Sequence, residues 1–305
     1  MGFHEQIEKQ LQLLNREQLC LFAWLSALRA LPILSVGRSF CYWEQEKQQQ
    51  HLYNVFYALD ACAAGWNLQK DHLMNYTAAA AYGAAAAKNA AEAAARTTEA
   101  KLNKNDSWIA WTASDAASAA AWAAKTASIT QANQAAAINA AAWAFRASTF
   151  GGKANDISRF ASDSAFWELQ AFTRIGTVDI FGKTIDNHIR VIFSEIDAIK
   201  NNDLAALNKD PTIYGSVWKN SLEDVKKSNI YGVIWHNFLE DLESVSCGYW
   251  ARLYKNLFKN KSITRDKFIF DEQELLRRLF QIPEEIRAKG AAAVGHYIEN
   301  ETTAT

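Results

Sequence analysis

The sequence predicts an all-α chain, a multi-helix bundle with a closely packed alanine-rich helical hairpin at its centre. Three observations predict it. Only three prolines, Pro32, Pro211 and Pro283, interrupt 305 residues, so long helices fit between them. Residues 77–102 contain no proline, one glycine (Gly83) and runs of alanine, the residue with the best helix propensity. No stretch alternates apolar and polar residues as a half-buried strand does, and the best strand candidates, 177–181 and 267–270, are short.

The elements follow in order. Asn15 with Gln18 three residues on reads as an N-cap and a residue that reaches back to it. The helix they open runs to about Ala30, where Pro32 stops it. Leu52, Phe56, Leu59 and Ala63 share one face of a helix over 49–64, with Gly65 as its C-cap. After the alanine-rich helix, 103–106 is a turn and Asp106 caps the next helix. Unbroken to Gly151, that helix would take about 44 residues and span about 66 Å. A compact chain of this size is about 50 Å across. A break or kink is therefore expected at Ser128-Ile129-Thr130-Gln131, a capping-box pattern containing two β-branched residues.

Beyond residue 150, Asn155 caps a helix through Phe172, a helix covers 186–200, and Asp210-Pro211 opens another. Phe238, Leu239 and Leu242 form one apolar face, and 249–258 form a further helix. Asp271 and Glu274 make a capping box for a helix through Gln281, and Pro283 opens a short helix that Gly290 closes. Two regions result. Residues 1–150 hold the N-terminal helices and the hairpin, and 151–305 form a helical region packed on the first as one body.

The alanine zone makes the sharpest physical statement. At 100° per residue, Lys88, Glu92, Arg96 and Glu99 share one stripe of the first hairpin helix, with opposite charges four apart. The other side holds Ala80, Gly83, Ala87, Ala90, Ala91 and Ala94. On the second helix, one side holds Ala113, Ala116, Ala117, Ala120, Ala123, Ala124 and Ala127, and the other Trp111, Ser118, Trp122 and Lys125. Two alanine faces let the backbones approach to the short end of the usual 8–10 Å. The tryptophans then pack against the flanking zones. Small-residue seams also occur in bilayers, but charged residues interrupt every candidate span here.

Composition narrows the function. The net charge is −1, so no global pull toward nucleic acid exists. The four cysteines, Cys20, Cys41, Cys62 and Cys247, form no C-x-x-C pair and read as reduced thiols. The first ten residues are polar, so no signal peptide is expected and the location expected is the cytoplasm. The apolar run 19–36 carries Arg29 and Pro32 and reads as a core helix, so no stable membrane span is expected.

Catalytic motifs are sparse. Gly151-Gly152-Lys153 lacks the rest of a phosphate loop and reads as a turn. His236 and Glu240 stand four apart with Asp241 next, which suits a metal less well than an exposed helix contact. Glu195 and Asp197 face different ways on a helix, and Asp179 and Asp186 meet only through the fold. No catalytic residue, metal ligand or cofactor is assigned, and the reading leans against an enzyme.

One patch interleaves basic and aromatic residues: Tyr249, Trp250 and Tyr254 lie among Arg252, Lys255, Lys259, Lys261, Arg265 and Lys267. Those six basic residues are the candidate site for an anion, a nucleic-acid backbone or an acidic partner. The alternative is an aromatic core face with a solvated basic back.

Three stretches carry a resemblance: LSALRALP at 25–32, YWARLY at 249–254 and IPEEIRAKGAAAV at 282–294. With the alanine-rich centre, they resemble a family of bacterial alanine-rich helical proteins with a Trp/Tyr-rich C-terminal helix. The chain departs from it around 257–260, where it has less tryptophan and glycine. A weaker similarity is to alanine-rich immunity proteins of bacterial toxin systems, which implies a protein partner. Neither implies site residues. The leading expectation is a protein-interaction module, as a subunit or immunity component of a toxin or antiviral defence system. The alternatives are a membrane-acting effector that exposes the hairpin, and an anion or nucleic-acid binder using the basic C-terminal patch.

Overall fold

Asn15 opens the core as its spacing predicts. Its side chain accepts from the Gln18 amide at 3.0 Å, and the Gln18 side chain accepts from the Asn15 amide at 2.9 Å. This reciprocal cap satisfies two donors that a bare helix end would leave open. The computed structural model describes residues 3–35, 39–67, 73–100, 104–135, 165–167, 182–203, 230–259 and 272–303. Their elements are α1 (Phe3–Leu11), α2 (Arg16–Ala30) with a 3-10 turn (Leu31–Ser35), α3 (Gln45–Asn67), α4 (Leu73–Ala100) and α5 (Lys104–Ala135). Then come α6 (Gly182–Lys200), α7 (Ile230–Ser244), α8 (Gly248–Lys259), α9 (Glu272–Leu276) with a π turn (Arg277–Gln281), α10 (Glu284–Arg287) and α11 (Ala291–Thr303). The fold is all-α, and the described residues include no strand.

At the centre α4 and α5 share the most extensive helix contact, and α2, α3 and the 3-10 turn close around α5. Ala113, Ala116, Ala117, Ala120, Ala123, Ala124 and Ala127 of α5 are all buried. On α4 the buried line is Ala80, Ala84, Ala87, Ala91 and Ala95, while Gly83, Ala90 and Ala94 are only half-buried. The seam is thus rotated from the expected one. α4 packs on α3 as well as on α5, and a Cβ added at Gly83 would stand 3.0 Å from the Asn54 side chain of α3. Trp111 and Trp122 stay half-buried, and the Lys125 ammonium sits 4.7 Å from the Trp122 ring centre.

Three boundaries differ from the sequence reading. Gly65 lies inside α3 rather than capping it, and Asp106 lies inside α5, which begins at Lys104. No break occurs at Ser128–Gln131, because α5 runs on to Ala135. Hydroxyls along α5 bond back to their own helix, Ser118 to the Ser114 carbonyl at 2.8 Å and Thr126 to the Trp122 carbonyl at 2.9 Å. The strand candidates 177–181 and 267–270, the Asp210-Pro211 helix start, the Gly151-Gly152-Lys153 turn and Asn155 lie outside the described residues.

The stretch Glu17–Ser35 is long and apolar enough to cross a membrane, yet it lies almost wholly inside the core. Arg29 within it is buried too, and pairs with Glu195 of α6 while also donating to the Ser26 hydroxyl at 3.3 Å. Gln18 adds a second tie, its amide donating to the Ile199 carbonyl at 2.7 Å at the end of α6. Glu195 is buried and Asp197 exposed, as their two-residue spacing requires.

The C-terminal helices pack on α3. Gln49 is the joint: its amide donates to the Val245 carbonyl at 2.7 Å, and its oxygen accepts from the Ala292 amide at 2.9 Å and the Cys247 thiol at 3.4 Å. Gly290 turns there with φ of +91°, and an added Cβ would lie 2.5 Å from the Gln49 backbone. Glycine meets both demands, the left-handed conformation and the close approach.

Candidate functional site

The basic-aromatic stretch divides along α8. Trp250 stacks on Phe56 at 4.6 Å and donates from Nε1 to the Ala291 carbonyl at 2.9 Å. Tyr254 is buried beside the same Phe56 ring. On the other side Arg252 is 59 % exposed and pairs with Glu299 of α11, and Lys255 is half-buried. Lys259 ends the helix, while Lys261, Arg265 and Lys267 lie outside the described residues. Of the six candidate residues, the structure therefore brings together Arg252 and Lys255, with the Arg252 charge met by a carboxylate. Among the described side chains of this helix, Trp250 and Tyr254 take the core face and Arg252 and Lys255 the other.

A different cluster gathers where the C-terminal layer meets α3. Arg278, in the π turn, donates from Nε to Asp60 Oδ2 at 2.7 Å and from Nη2 to Asp60 Oδ1 at 2.9 Å, a bidentate fork. Both side chains are buried. Arg278 Nη1 also stands 3.2 Å from Glu274 Oε1, and the Tyr249 hydroxyl donates to the same carboxylate at 2.7 Å. Burial works against both charges of the central pair, but facing Asp60 keeps the guanidinium protonated. Burial pushes the Tyr249 phenol up, so it acts as a hydrogen-bond donor at neutral pH. Glu274 bridges Tyr249 and Arg278 and is 36 % exposed; Asp271, its expected capping-box partner, lies outside the described residues.

Spacing could not reveal this site, because Asp60 and Arg278 lie 218 residues apart. The π turn has a local consequence. Its i→i+5 bonding widens the helix by one residue and changes which side chains face the neighbour. Arg278 is the buried charge on that turn. Chemically the arrangement is a closed clamp. Both Asp60 oxygens accept from one guanidinium, and the tyrosine and Glu274 complete the ring of bonds.

Elsewhere, His236 and Glu240 form an exposed i,i+4 contact at 2.9 Å on α7. Among the described residues no group of three or more histidine, cysteine or acidic side chains stands close enough to hold a metal ion. Cys20, Cys62 and Cys247 are buried, and Cys41 is exposed. Burial pushes the Cys62 thiol well up and the Cys247 thiol up to about 12. A raised thiol pKa leaves little of the reactive thiolate at neutral pH. In a native-state thiol titration Cys41 is expected to react first, with the other three following only on unfolding. Fast labelling of Cys247 in the folded chain would contradict its placement against Gln49.

No family model matches the chain, and the searches of curated proteins and of solved structures return no match to it.

Proposed function

We propose that this chain is a protein-interaction module, acting as a subunit or immunity component of a bacterial toxin or antiviral defence system. The observation that carries the reading is the use made of its buried charges. Arg278 with Asp60 joins the π turn to α3, and Arg29 with Glu195 joins α2 to α6. Buried, perturbed groups mark reaction centres when they converge on a cleft. These four converge on one another across helix joints, the geometry of a scaffold, while Asp115 and Asp241 are buried elsewhere in the core. The setting rests on the sequence resemblance, and the expected location is the cytoplasm.

Capture of the tagged full chain from its native host, followed by mass spectrometry, tests this. The expected result is stoichiometric retention of a protein encoded by a neighbouring gene. Reversing charge at Arg252 and Lys255 then asks whether the partner docks on α8, with loss of capture expected if the partner face is acidic. A chain that returns alone overturns the reading. Leakage of liposomes by the intact chain would favour the membrane-acting alternative instead. The burial of Glu17–Ser35 and of the alanine seam argues against that outcome.

A further inference from the structure

We draw no further inference here: the strongest candidate, the outward face of α4 carrying Tyr82, Ala86, Asn89 and Ala93, is an exposed helix face of mostly small residues, and nothing in the structure shows what covers it.

Discussion

Replacing Arg278 by alanine is expected to cost about 3–5 kcal/mol of folding free energy. The cost arises less from the lost attraction than from what remains. Asp60 would be left buried with no guanidinium opposite it, and must either hold an unpaired charge or take up a proton. Asp60→Ala should cost less, because Arg278 keeps the Glu274 carboxylate 3.2 Å from its Nη1. Arg278→Lys should recover only part of the loss, since one ammonium cannot reproduce the two parallel bonds to Asp60. Tyr249→Phe removes a single hydroxyl bond and should cost about 1 kcal/mol. Urea unfolding at neutral pH ranks the four variants. An Arg278→Ala midpoint equal to the parent's would mean that the clamp does not form in solution.

The second large effect is expected in the alanine seam. Ala87 and Ala120 are buried on the paired helices, and the Trp43 indole donates to the Ala87 carbonyl at 3.0 Å. α4 is thus held at that level both by its seam and by a bond from the segment before α3. Leucine at either position should overpack the seam at a cost of about 1–3 kcal/mol, toward the upper end at Ala87. Helix propensity alone predicts almost no change, because leucine and alanine are close on that scale. Glu92→Ala serves as the control. Its carboxyl lies below its ordinary value, held there by hydrogen bonds from Lys88 and Arg96. That contribution is present above the unfolded carboxylate range and fades as the pH falls through the lowered value. It is a partly screened surface pair, worth about 0.5 kcal/mol. Thermal melts that place all three variants together would show that the seam is not tightly packed.

What was legible in the sequence was what local physics controls. Asn15 and Gln18 announce their cap, Pro283 and Gly290 bracket α10, and Leu52, Phe56 and Leu59 declare their face by spacing. Some boundaries departed from their local signals. Gly65 carries a stop signal, yet α3 continues through it. Ile129 and Thr130 weaken a helix locally, but α5 is embedded among other helices and runs through them. The buried line on α4 is shifted because two helices press on it. Asp60, Glu195 and Arg278 were silent for another reason. A buried ion pair is a relation between distant positions: the apolar run around Arg29 marks it as a core residue but does not name Glu195 as its partner.

The central claim is that the Asp60–Arg278 cluster is architecture and that function lies on the surface. The direct measurement replaces both charges with apolar residues, Asp60→Leu together with Arg278→Met, and reads stability and partner capture on the same protein. Well-packed apolar replacements of buried ion pairs are often neutral or stabilising. The account predicts that the double variant unfolds within about 1–2 kcal/mol of the parent, far from the single alanine variants, and still retains the partner. A double variant that is as stable as the parent but no longer captures the partner would contradict it, because the buried charges would then serve function and not the fold.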